Sequence, residues 1–168
     1  LSVGGVRLAG LGFLVLAGWL LANDMVRRTL FLGGRRGYTG WCLFTGYLWL
    51  GFGGVLGMVY PRVSSGMLYD AYLHSIFVGF VFTMIFGHAF IIMPGVLGVD
   101  LSFHRGFYLP LILLEGTLVL RVVGDLMADS PVRLAGGLGN GAAILLFLLM
   151  LVETRVRALL CSALVSEF

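Results

Sequence analysis

Two histidines stand fourteen positions apart inside one long apolar stretch: His74 in Tyr-Asp-Ala-Tyr-Leu-His and His88 in Met-Ile-Phe-Gly-His-Ala. An ionisable side chain within a membrane segment is costly to bury and is a functional candidate for that reason. Regular α-helical geometry places the two imidazoles about 40° apart on one face and about 21 Å apart along the axis. Val78, Val81 and Ile85 lie between them on that face, with Phe77 and Met84 at its edge. Imidazole nitrogen is an axial ligand of haem iron, and an apolar stripe packs against a porphyrin. The pattern therefore fits haem b, one group toward each membrane surface. Copper or another metal is a second ligand chemistry open to the pair. The simpler alternatives are hydrogen bonds to neighbouring helices, for instance to Asn140, Glu115 or Thr117, and a proton-conducting role.

The same spacing occurs on the haem-bearing helices of dihaem cytochromes b, which use two such helices to supply four ligands. This chain has one, and its remaining histidine, His104, falls in the loop that follows. A homodimer or a partner membrane subunit is expected to complete bis-histidine ligation; alternatively, each haem is five-coordinate and open to a gas. The next apolar stretch carries Glu115, Arg121 and Asp125. Arg121 and Asp125 are spaced i,i+4 and can pair on one helix face. Arg121 has two readings, an anchor for a haem propionate or one half of that structural ion pair. Glu115 lies about 120° round the helix from Arg121, so it needs its own partner or stays protonated.

The elements that position these groups follow from composition. The chain of 168 residues is 60% hydrophobic and only 11% charged, against about 25% charged in soluble domains. A soluble globule of this size could not be wetted by so few charges. Five windows reach the length of about 20 apolar residues that a membrane span requires: Val6–Ala22, Gly40–Tyr60, Leu68–Pro94, Tyr108–Leu126 and Pro131–Val152. Ser130 is the expected N-cap of the last, with Pro131 at its first helical position. Helices are expected throughout, because lipid leaves open strand edges unsatisfied. The expected fold is an all-α membrane protein, a single transmembrane domain of five helices over residues 1–168.

All eleven basic residues are arginines. Arg27, Arg28, Arg35 and Arg36 fall in the first loop, Arg105 in the third and Arg155 and Arg157 in the tail, all on one side of a five-helix chain. Arg7, Arg62 and Arg133 fall on the other, diluted by Asp70, Asp125 and Asp129. The arginine-rich side is expected to face the cytoplasm, with the N-terminus outside and the chain in a bacterial inner membrane. Arginines confined to loops between apolar runs do not make a nucleic-acid surface. The sequence opens on Leu1, so the expectation is a chain that has lost its start, a fragment, or a sequence given incompletely; an outside N-terminus is also what a lost preceding helix would leave. The first apolar stretch lacks a small-x-small cleavage site, which favours a retained helix over a signal peptide. Cys42 and Cys161 lie in different spans without metal-type spacing and read as packing residues. Gly53 with Gly57, and Gly137 with Gly141, are small-xxx-small pairs for close helix contact or for seating a flat cofactor.

The stretch YDAYLHSIFVGFVFTMIFGHAFIIMPGVLG from Tyr69 to Gly98, the segment FYLPLILLEGTLVLRVVGDL from Phe107 to Leu126, and GYLWLGFGG from Gly46 to Gly54 resemble the NnrS-like polytopic bacterial membrane proteins. The resemblance covers about two-thirds of the chain, which is half the length usual for that family. It implies haem or copper and a link to nitric oxide metabolism. The matching positions are His74 and His88, with Arg121 and Asp125 in support.

No phosphate-binding glycine loop, nucleophile with adjacent base, or cleft-like carboxylate pair is present in the sequence. The leading expectation is a membrane haem protein of electron transfer or nitric oxide handling, with His74 and His88 as axial ligands. Two others stand beside it: a cofactor-free accessory subunit of a respiratory or photosynthetic complex, and a small transporter or proton channel built on His74, Glu115 and Arg121.

Overall fold

The computed structural model describes residues 2–62, 65–98 and 101–166, with side chains except at Leu97 and residues 159–166. The packing role expected of Cys161 lies outside the described side chains. All regular structure among the described residues is helical: α1 (Val3–Asn23), a single turn α2 (Val26–Thr29), α3 (Gly34–Val59), α4 (Met67–His74), a π-helical stretch (Ser75–Phe82), α5 (Thr83–Leu97), a 3-10 turn (Arg105–Phe107), α6 (Tyr108–Met127) and α7 (Ser130–Ser166). Residues from α4 through α5 form one rod. With that rod, α1, α3, α6 and α7 give five helices long and apolar enough to cross a membrane.

Two spans outlast their apolar runs. Arg35 and Arg36, expected in a loop, lie in the first turn of α3, and Arg155 and Arg157, expected in a tail, lie on α7. Arginine stems lie along apolar surface while their heads reach polar groups. Arg35 donates to the Phe90 carbonyl at 3.3 Å, and Arg157 pairs with Glu153 one turn back at 2.5 Å. The cap of α7 also differs from the expected Ser130. Asp129 accepts from the Val132 amide at 3.1 Å, and Ser130 is already helical.

Helix α3 is the spine, and small residues set its register against its neighbours. A Cβ added at Gly54 would sit 2.7 Å from the Gly10 carbonyl oxygen of α1, and one at Gly53 would sit 2.9 Å from Ile76. Gly87 lies against Cys42, and Gly57 against Tyr72. These contacts run α3 antiparallel to α1 and to the α4–α5 rod. Helix α1 buries only Gly10 and Ala17, so it rides on one flank of α3. The expected pair Gly137 and Gly141 divides: Gly137 meets the Arg121 guanidinium and Gly141 meets nothing, while Gly136 and Gly139 touch α6. At the arginine-rich end Tyr38, Phe90, Phe107 and Phe147 form a buried aromatic core, with Phe86 stacked on Phe147 at 3.8 Å between ring centres.

Helices α6 and α7 join through a two-residue turn, Ala128 and Asp129. Ala128 adopts φ 56°, ψ 34°, and the Asp129 amide donates to the Gly124 carbonyl at 2.9 Å. A left-handed conformation at a residue with a Cβ costs about 1–2 kcal/mol, which glycine avoids. Replacing Ala128 with Gly should therefore stabilise the folded protein by about 1 kcal/mol, raising its thermal midpoint in detergent; an unchanged or lowered midpoint would show that this turn is not strained.

Candidate functional site

Charge concentrates where α4, α6 and α7 meet. Arg121, facing inward from α6, places Nε 3.3 Å from Asp125 and NH2 3.0 Å from Asp70. Arg133, one turn into α7, places Nε 2.8 Å from Asp125 and donates its other arm to Asp70. Arg121 NH1 also donates to the Arg133 carbonyl at 3.2 Å. Two carboxylates and two guanidiniums thus alternate in a closed ring. The Asp125 side chain has no exposed surface, and its oxygens form ion pairs without hydrogen-bond geometry. Its attraction to the arginines is accordingly Coulombic.

The glycines let this ring close. Gly124 lies against the backbone of Arg133, and Gly136 against the backbone of Arg121. The expected i,i+4 pair of Arg121 and Asp125 is present; Asp70 and Arg133, read from the sequence only as topology charges, complete it. Their signal was equal numbers of aspartates and arginines at one end of consecutive spans. Arg121 is committed to two carboxylates, the ion-pair alternative of its two readings.

His74 borders this ring. Ligand atoms of Asp70, His74 and Asp125 lie within 4.8 Å of one another, but both carboxylates already face guanidiniums, which oppose a cation there. The His74 Nδ1–H donates to the Asp70 carbonyl at 2.8 Å, and the His88 Nδ1–H to the Met84 carbonyl at 2.8 Å. A carbonyl can only accept, so each ring presents an N–H at Nδ1. These bonds run to the histidines' own helix, not to Asn140, Glu115 or Thr117. The Asn140 side-chain oxygen instead accepts from Thr117 at 2.7 Å.

Between the histidines lie the eight π-helical residues. Their i→i+5 bonding widens each turn, so the angle of about 40°, which assumes a regular α-helix, does not carry across them. The surroundings of the two rings differ accordingly. His74 sits beside charges, whereas His88 lies on a face with Ile85, Ile91 and Ile92, which are 49%, 56% and 56% exposed. Phe77 and Val81 are exposed as well. His104 is exposed and packs its ring near Phe107.

Glu115 finds its partners on other helices. Its Oε2 accepts from Trp49 Nε1 at 2.6 Å, and its Oε1 from the Thr83 hydroxyl at 3.4 Å. At the other flank Asp24 accepts from the Tyr47 hydroxyl at 2.5 Å, closing the end of α1 onto α3. Neither Trp49, Thr83 nor Tyr47 stands out in the sequence, since each bond joins residues far apart along the chain.

Fold and site together define an all-α bundle of five membrane-length helices, locked at one end by an internally neutral ion-pair ring. The chain belongs to the family described as a domain of unknown function, DUF8744, which matches residues 1–156. No curated protein and no solved structure matches it.

The ring predicts a sharp contrast between two carboxylates. Asp125→Ala leaves two guanidiniums facing Asp70 alone and should destabilise the protein by about 3–5 kcal/mol, the usual cost of orphaning a buried ion-pair partner. Glu153→Ala removes an exposed pair and should cost less than about 0.5 kcal/mol. Thermal unfolding of both variants in the same detergent tests this, and similar midpoints for the two would contradict the ring's structural role.

Proposed function

We propose that this chain is an integral membrane haem-binding protein of electron transfer or nitric oxide handling, with His74 and His88 each offering Nε2 as an axial ligand. The observation that carries the reading is the hydrogen bond that each histidine makes through Nδ1. Each holds its Nδ1–H on the carbonyl one turn back at 2.8 Å, which orients the ring and, in its neutral form, leaves Nε2 as the nitrogen for a metal. Donor set and surroundings fit haem better than a small ion at His88. The ring stands on an apolar face of exposed isoleucines, suited to the flat side of a macrocycle and lacking the carboxylates that a hard cation would need. When bound, haem supplies a redox-active iron.

The face that bears His88 needs a second wall, and a second copy of this chain or a partner membrane subunit provides it along with the opposite ligand. The arginine-rich end of the bundle faces the cytoplasm of a bacterial cell on this reading. The nitric oxide link rests on the NnrS-like resemblance around His74 and His88. A second reading, a cofactor-free accessory subunit, is favoured by one feature: the ring at His74 neutralises its own charges and leaves Arg121 no free arm for a propionate.

Absorption spectra of the purified protein, oxidised and then reduced with dithionite, should show a Soret band with sharp reduced α and β bands. His88→Ala should remove one haem, counted by pyridine extraction, and His74→Ala the other. Full haem content in both variants would sink the ligand assignment. A colourless protein that takes up no added haem would leave the accessory-subunit reading in front.

A further inference from the structure

We infer that the connector between α1 and α3 is a docking surface for anionic phospholipid, with Arg27, Arg28 and Arg36 on the headgroup phosphates and Phe31 in the acyl layer. The connector carries four arginines, Arg27, Arg28, Arg35 and Arg36, and Asp24 is the only acidic residue ahead of Asp70. Four positive charges against one negative leave it strongly basic. Asp24 is also occupied: its oxygens accept from the Met25 amide at 2.7 Å and from the Tyr47 hydroxyl at 2.5 Å.

The four arginines are exposed, and among the described residues none of them pairs with a carboxylate. Arg35 has a structural duty. Pro94 has no amide to offer the Phe90 carbonyl within α5, and Arg35 donates to that carbonyl instead at 3.3 Å. The other three guanidiniums have all their donors available for an outside acceptor. Phosphate is the acceptor that matches them, through charge-assisted and bidentate hydrogen bonds. A recess of about 410 Å³ beside Arg27 and Arg28 gives a headgroup room to enter.

Backbone packing holds these charges in place. A Cβ added at Gly40 would stand 2.8 Å from the Thr29 hydroxyl and 2.9 Å from the Leu30 amide, and Gly37 lies against the Leu32 carbonyl. Val26 is buried beneath the turn. The connector is thus clamped on α3.

Depth and exposure select lipid as the source of the phosphate. Helix α1 has 21 residues and a length of about 31 Å, close to the hydrocarbon thickness of about 30 Å. Its end at Asn23 therefore falls at headgroup level. Phe31 is 87% exposed, the most of any large apolar side chain among the described residues, and Met25 and Leu32 are exposed beside it. A free phosphate ion or an acidic surface would meet the arginines and leave Phe31 bare. A leaflet of anionic lipid takes both, as basic and aromatic groups do together at membrane interfaces. The inference holds for either side of the membrane and involves no haem.

Native mass spectrometry of the full chain in mild detergent tests the assignment, with dioleoyl phosphatidylglycerol and dioleoyl phosphatidylcholine as competing probes. The two share acyl chains and a phosphodiester, and differ in the choline that neutralises one of them. Phosphatidylglycerol should be retained at least about tenfold more strongly, since each basic residue near anionic lipid is worth about fivefold. Arg27→Gln, Arg28→Gln and Arg36→Gln together, with Arg35 kept for the Phe90 carbonyl, should bring that preference below about threefold. Arg7→Gln with Arg62→Gln, which removes exposed charge from the other end, should leave it unchanged. Equal retention of the two lipids by the natural chain overturns the inference and leaves these arginines to an acidic protein partner. A preference that survives the triple substitution, or falls as far in the Arg7 and Arg62 variant, overturns it too. Displacement of phosphatidylglycerol by inorganic phosphate would overturn the choice of lipid.

Discussion

Asp125 has no solvent-exposed side-chain surface, and an isolated carboxylate in hydrocarbon carries a prohibitive desolvation cost. Its charge is supportable only because Arg121 and Arg133 approach it from two sides while sharing Asp70 beyond. The members of the ring come from three different helices, so the condition for burying the charge is also a condition on helix placement. Helices α4, α6 and α7 must meet at one depth, and the glycines at 124 and 136 allow the backbones to come that close. Hydrophobic attraction cannot impose this, since lipid tails are as apolar as the helix surfaces.

Everything chemically interesting hangs from that anchor. The α4 end of the long rod is pinned through Asp70, which fixes His74 at the edge of the ring. Eight π-helical residues then carry the rod past Trp49, whose ring lies against Gly79. Beyond them α5 presents His88 among exposed isoleucines, and Thr83 reaches Glu115 across the interior. π-Helical turns are rare and cluster at functional sites. Here the stretch separates two histidines with different surroundings, one charged and one apolar.

The number and order of the membrane helices were legible because hydropathy over 20 residues is a strong signal. Their ends were less so. Arginines at 35, 36, 155 and 157 read as loop or tail, yet all four are helical, and two of them find polar partners there, Arg35 the Phe90 carbonyl and Arg157 Glu153. The cap at Asp129 was masked by the equally suitable Ser130 beside it. The ring was half visible: Arg121 and Asp125 are one turn apart, but Asp70 and Arg133 come from distant sequence. The π stretch, Ser-Ile-Phe-Val-Gly-Phe-Val-Phe, has no local signature at all, and it undoes the single-face geometry drawn from regular helix parameters. The partners of Glu115 were hidden for the same reason as those of Asp125, since contact between helices leaves no trace in spacing along one of them.

Native mass spectrometry of the protein released from nanodiscs tests the haem-bearing assembly most directly, because one measurement counts chains and retained haem together. A dimer, or a complex with a second membrane subunit, that carries haem is the result expected from an exposed His88 face that needs another wall. A single chain without haem, which takes none up when haem is supplied, would contradict it.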